Sequence, residues 1–101
     1  MSTFVVRYRC KPDRADENQQ LVEDVFAELA ASDPGGIRYA TFRLADDTFV
    51  HIAEVDDDNP LNSTEAFARF QHSLADRCEE APHAQPANLV GSYRFTIAAN
   101  G

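Results

Sequence analysis

Apolar and polar positions alternate most densely between Ile37 and Val55, IRYATFRLADDTFVHIAEV, where two β-branched and aromatic runs flank a short acidic turn. That composition and punctuation predict a β-hairpin. On the first run Ala40, Phe42 and Leu44 are apolar in one phase, while Tyr39, Thr41 and Arg43 carry polar groups in the other. On the second, Phe49 to Val55, both phases are fairly apolar, as in a strand covered on both sides. Loop length sets the register. A two-residue loop at Asp46-Asp47 would place His51 with Phe42, whereas a three-residue loop, Ala45 to Asp47, places it beside Tyr39, Thr41 and Arg43. The longer loop is preferred, because it gathers Phe42, Leu44, Val50 and Ile52 on one apolar face and asks for a single left-handed residue, which aspartate tolerates.

The rest of the chain supplies one strand and one helix before the hairpin and one of each after it. Thr3 to Cys10 alternates Phe4, Val6, Tyr8 and Cys10 against Val5, Arg7 and Arg9 and ends at Lys11-Pro12. Asp13 is the expected cap of a helix with Asp16 and Glu17 in its first turn and an apolar stripe of Leu21, Val22, Val25, Phe26 and Leu29. Ser32-Asp33-Pro34-Gly35-Gly36 stops it. After the hairpin, Asp56-Asp57-Asp58 reads as a solvated loop. Asn62 with Glu65 resembles a capping box for a second helix, striped by Phe67, Phe70, Leu74 and Cys78, with His72 off the stripe. Ala81 to Pro86 is expected to be a loop carrying a surface His83, and residues 88–97 a last strand with Leu89, Gly91, Tyr93, Phe95 and Ile97 in one phase.

The order is βαββαβ in a single domain spanning residues 1–101. Right-handed crossovers turn it into a ferredoxin-like α+β fold: a four-stranded antiparallel sheet with both helices on one face. The first and third strands are expected to lie parallel at its centre, with Cys10 and Cys78 at opposite edges, too far apart to bond. The face without helices keeps Val5, Tyr39, Phe49 and Ala53 among polar groups, and exposed apolar surface of that kind marks a partner. A second copy packed sheet to sheet is the simplest one. In such a homodimer Arg7, Arg9, Tyr39, Arg43 and His51 are expected in or near the enclosed layer, with Glu54 as a counter-charge.

Composition narrows the function classes. Nine Lys and Arg against seventeen Asp and Glu give a net charge of −8, which disfavours nucleic acid and anionic membranes. No apolar run approaches the roughly 20 residues that cross a bilayer, and the opening MSTFVVRYRCKPD lacks the pattern of a signal peptide, so a cytoplasmic protein is expected. There the two cysteines are read as free thiols; neither has the spacing of a metal ligand.

The βαββαβ order, the strand closed by Lys11-Pro12-Asp13, the Gly36-Ile37-Arg38-Tyr39 entry to the second strand and the Thr48-Phe49-Val50-His51 start of the third resemble the antibiotic-biosynthesis-monooxygenase-like domains of the dimeric α+β barrel superfamily. The resemblance covers nearly the whole chain and implies a homodimer. Enzymes of that group are often cofactor-free oxygenases of aromatic polyketides or quinols, or degrade haem, with Asn, Trp, Tyr, His or Arg in a cleft beside the sheet. This chain has no tryptophan, and no asparagine in its first strand.

Cofactor-free oxidation needs a base to form a substrate carbanion and groups to hold the oxyanion. His51 titrates nearest working pH and is the candidate base. Tyr39 and Tyr93 are candidate oxyanion donors, Arg43 and Arg7 candidate balancing charges, and Phe49 a candidate substrate contact. No cofactor or metal is expected. The sequence holds no GxSxG, no Cys with a His partner and no glycine loop preceding a helix. Two classes of function remain: a small monooxygenase-like enzyme or isomerase with His51 as base, or a non-catalytic dimeric domain that binds a small apolar molecule or serves assembly.

Overall fold

In the computed structural model, which describes residues 2–56 and 60–95, the first strand β1 (Ser2–Cys10) leads into helix α1 (Ala15–Ser32), then strands β2 (Ile37–Arg43) and β3 (Thr48–Val55). A 3-10 turn (Pro60–Ser63), helix α2 (Glu65–Gln71), the one-turn helix α3 (Leu74–Arg77) and strand β4 (Cys78–Pro86) complete it. The sheet order is β2-β3-β1-β4, all antiparallel, with the helices against one face: the ferredoxin-like arrangement. No described helix is long and apolar enough to cross a membrane.

The hairpin has the three-residue loop. Thr41 pairs with His51 and Arg43 with Phe49, Leu44 donates its amide to Thr48, and Asp47 takes the left-handed conformation at φ 66°. The Asp46 carboxylate accepts from the Thr48 amide at 3.0 Å, which closes the turn, and its pKa is lowered by the Thr48 hydroxyl first and that amide second. Entry to β2 needs Gly36, at φ +83°, where an added Cβ would press on the Asp56 side chain at 3.3 Å.

Several expectations are overturned. β1 and β3 are central neighbours but antiparallel, not parallel. Helix α2 therefore climbs towards the edge at which β1 ends, and Cys10 and Cys78 become partners across the β1–β4 ladder, both as free thiols. The last strand is β4, not 88–97. The helical stripe breaks at Ser73, which is left-handed at φ 62°, and Cys78 already belongs to the strand. Residues 88–95 form no strand, and 96–97 lie outside the described residues. Pro82 and Pro86, read as loop signals, are tolerated because β4 is an edge strand; Pro82 sits where the register shifts between the Arg7–His83 and Arg9–Glu80 pairs.

The helix caps also differ from those expected. Arg14 rather than Asp13 precedes α1 and makes no capping bond, and Thr64 precedes α2; Asp57, Asp58 and the side chain of Asn62 lie outside the described residues. The first amides of α2 are held instead by Glu28 of α1, whose carboxylate accepts from Glu65 at 3.2 Å and Ala66 at 2.8 Å.

The faces are reversed for the hairpin. Val6 pairs with His51 and Tyr8 with Phe49, so Tyr8, Cys10, Tyr39, Thr41, Arg43, Phe49 and His51 all point at the helices. They pack with Val22 and Val25 of α1 and Ala66 and Phe70 of α2. Val5, Arg7, Arg38, Ala40, Phe42, Val50, Ile52 and Glu54 occupy the bare face. Tyr39, Arg43 and His51 thus lie across the sheet from Arg7 and Arg9, not in one layer with them. Within the protomer Arg9 pairs with Glu79 and Glu80, and Glu54 with Arg38 at 3.3 Å.

Antiparallel ladder partners have Cα atoms about 4.5 to 5.5 Å apart, within reach of a disulfide. Diamide treatment of the native protein is accordingly expected to join Cys10 to Cys78 within one chain, read by mass spectrometry as the loss of two hydrogens from the peptide pair. Cysteines at opposite edges would stay reduced.

Candidate functional site

Polar side chains buried between the sheet and the helices must find partners among themselves. His51 shows how this is met. Its side chain is only 4% exposed and stands between the rings of Tyr8 and Tyr39, with centroids 5.3 and 5.8 Å away. Phe70 of α2 covers it at 5.4 Å. The Nε2 atom lies 2.8 Å from the Tyr8 hydroxyl, and Nδ1 lies 2.7 Å from Tyr39 Oη and 3.0 Å from Thr41 Oγ1.

A second tier continues from Tyr8 into the helices. Asn18 of α1 donates Nδ2–H to the Tyr8 hydroxyl at 2.9 Å, and Arg77 at the end of α3 donates Nε–H to Asn18 Oδ1 at 3.0 Å. The Arg77 guanidinium, in a residue 2% exposed, also donates to the carbonyls of Phe70 at 2.6 Å and His72 at 3.1 Å, where α2 ends, and lies over the Phe70 ring. Carbonyls at a helix C-terminus carry partial negative charge, which suits a cation with no carboxylate bonded to it among the described residues.

Burial sets the protonation of the set. It pushes the His51 pKa down to about 4, so the imidazole is neutral at pH 7. Burial raises Tyr39 to about 12, partly offset by the Thr41 hydroxyl, and raises Tyr8 further, with the Asn18 bond pulling the other way. Both phenols therefore keep their protons at neutral pH. Among the described residues no group of three His, Cys, Asp or Glu side chains is placed to hold a metal ion.

The structure brings His51, Tyr39, Phe49 and Arg43 to one face and leaves Arg7 and Tyr93 elsewhere. Phe49 is buried and stacks on Tyr8 at 5.6 Å. Arg43 lies over the Phe49 ring but is engaged by Asp16, Gln19 and Asp47 at 3.0, 2.7 and 2.8 Å. Arg7 is exposed on the bare face, and Tyr93, 80% exposed, lies beyond the last strand. Tyr8, Asn18 and Arg77 were missed. A signal existed for Asn18: it falls four residues before Val22 and seven before Val25, a polar residue on an apolar stripe. Tyr8 was counted only as an apolar position of its strand, and nothing in the sequence separates Arg77 from the other cations.

Cavities open to solvent lie elsewhere among the described residues. One, of about 310 Å³, is lined by Ser2, Thr3, Phe4, Pro86, Ala87, Asn88 and Leu89; another, of about 390 Å³, by Val5, Arg7, Glu80, His83 and Gln85. Neither is lined by His51.

The lowered His51 pKa has a measurable consequence. An unfolded chain takes up a proton at this histidine near pH 6.5, whereas the folded chain refuses it until about pH 4. Stability therefore falls as pH drops through that window and the loss levels off below it, amounting to about 3 kcal/mol. Urea unfolding at pH 7 and pH 4 is expected to show a drop larger by about that amount in the wild type than in His51→Gln.

No family model matches the chain, and no curated protein sequence does. Solved structures do match in shape. A structure described as an antibiotic biosynthesis monooxygenase superposes with a TM-score of 0.70 at 21% identity, covering 90% of this chain and all of that one. A structure from Bacteroides thetaiotaomicron, provisionally given the same description, has a TM-score of 0.74 at 13% identity over 88% and 89% of the two chains. Another, from Nitrosomonas europaea and described as a protein of unknown function, has a TM-score of 0.68 at 16% identity over 91% of each. The chain therefore carries the fold that many antibiotic-biosynthesis-monooxygenase-like structures share.

Proposed function

We propose that the protein works as a homodimer closed over the bare face of its sheet, and that it oxidises a small aromatic or quinol substrate without a cofactor. The dimer rests on one observation. Phe42 and Leu44, still 37% and 45% exposed with the Phe95 ring against Phe42, stand on or beside a sheet face that also carries Val5, Ala40, Val50 and Ile52 and that no described helix covers. A second copy offers the same apolar surface and buries both at once.

The activity is supported by the shared fold and by a neutral imidazole set between two protonated phenols. A deprotonated quinol is electron-rich enough to react with dioxygen directly. The protein's share is to hold the anion as the quinol's proton leaves to water, and His51 and Tyr39 are the groups nearest to that task. Because Tyr39 is only half-buried, it is the one that would yield its place beside His51 to a substrate hydroxyl.

A second reading is favoured by the completeness of the same network. Both imidazole nitrogens are occupied and neither described cavity reaches them, as in a dimeric domain that binds a small apolar molecule or serves assembly alone.

Sedimentation at micromolar concentration is expected to give twice the mass of the chain for the wild type and a folded monomer for Phe42→Asp combined with Leu44→Asp. Oxygen uptake over a panel of aromatic quinols is expected with the wild type, and to fall at least tenfold in His51→Gln and in Tyr39→Phe with unchanged circular dichroism. Equal turnover in the variants ends the catalytic reading, and an inert wild type leaves assembly or binding.

A further inference from the structure

We infer that Arg77 is a positioning residue which, through Asn18 and Tyr8, fixes His51 in the tautomer carrying its proton on Nδ1, so that the ring turns a donor rather than a base towards Tyr39 and Thr41. The catalytic meaning of this inference rests on the oxidative reading given above. The tautomer itself follows from the hydrogen bonds.

Directionality starts at the guanidinium, which has N–H groups and no acceptor. The Asn18 atom facing Arg77 Nε at 3.0 Å must therefore be the carboxamide oxygen. That orientation leaves Nδ2–H to donate to the Tyr8 hydroxyl at 2.9 Å. Tyr8 Oη, already accepting, has one proton to place, and the His51 Nε2 lone pair is 2.8 Å away. Had Nε2 carried a hydrogen instead, the Tyr8 hydroxyl would accept twice and leave its own proton without an acceptor in a buried residue, at a cost of about 1–3 kcal/mol. A neutral imidazole holds a single N–H, which then sits on Nδ1 with Tyr39 Oη at 2.7 Å and Thr41 Oγ1 at 3.0 Å as acceptors.

The consequence for chemistry is a change of role. A substrate oxygen that takes the place of the Tyr39 hydroxyl meets an N–H aimed at it, with the ring's lone pair turned inward to Tyr8. Negative charge developing on that oxygen is stabilised by a preorganised neutral donor. Arg77 bonds Asn18 and the carbonyls of Phe70 and His72 rather than the ring, and acts on it through two intermediaries.

Nitrogen-15 labelling of the histidine rings in the full chain tests this directly, since the two ring nitrogens differ sharply in chemical shift according to which is protonated. The His51 signals are identified by their absence from His51→Gln. The wild type is expected to carry the proton on Nδ1. Asn18→Asp is the decisive variant, because it keeps the side-chain shape and gives Arg77 a carboxylate partner while removing the donor to Tyr8. Tyr8 must then donate to Asp at position 18 and accept from His51, so the proton is expected on Nε2. Arg77→Met frees the Asn18 amide to turn over and is expected to populate both tautomers. A wild type protonated on Nε2, an Asn18→Asp protein that keeps the proton on Nδ1, or a folded Arg77→Met protein with Nδ1–H alone overturns the inference. Quinol oxidation measured on the same samples separates the two claims: an inert protein with the expected tautomers sinks only the oxidative reading, and an active one protonated on Nε2 sinks only this one.

Discussion

A cation removed from water and hydrogen-bonded, among the described residues, to neutral oxygens governs this fold. Moving a guanidinium into a protein interior costs several kcal/mol, and here the compensation comes from neutral oxygens: the carbonyls of Phe70 and His72 and the amide of Asn18. Each of these must be where it is for the charge to be tolerated. The end of α2 must meet the start of β4, and α1 must bring Asn18 down onto the sheet beside Tyr8. One buried charge thus ties together both main helices and, through Tyr8 and His51, both central strands. Replacing it by a neutral residue would leave three acceptors without their donors, which is why the polar set behaves as a unit.

Much of the architecture was legible because it depends on local chemistry. A short acidic turn between β-branched runs and one residue able to go left-handed fixed the hairpin loop, and with it the adjacency of Tyr39, Thr41 and His51. The α1 stripe gave that helix directly. What misled was the assumption that the more apolar phase of a strand faces its own helices. Here Phe42, Val50 and Ile52 face outward, while Tyr, Thr and His face inward because their hydrogen bonds close on one another. Polar satisfaction outranked hydrophobicity, and a binary pattern cannot express that.

The errors at the C-terminal end share a cause. Phe67, Phe70, Leu74 and Cys78 keep helical spacing, and prolines at 82 and 86 look like loop residues, so the helix was drawn too long and the strand too late. Spacing could not reveal the left-handed Ser73 or the edge position that spares the prolines a penalty. The same displacement hid Arg77, which would have stood on an exposed helix flank rather than at a buried junction. The candidate site was therefore half readable: the strand residues followed from register, and the helix residues that orient them depended on where α2 stops.

Glu28 gives the helical layer a mechanical character of its own. Its carboxylate spans from α1 to the leading amides of α2, so neither helix can swing from the sheet alone without stranding hydrogen-bond donors. The pair is geared together like two leaves on one pin. Whatever enters between helices and sheet must tilt the whole lid at once or slip in at its rim, beside the half-buried Tyr39.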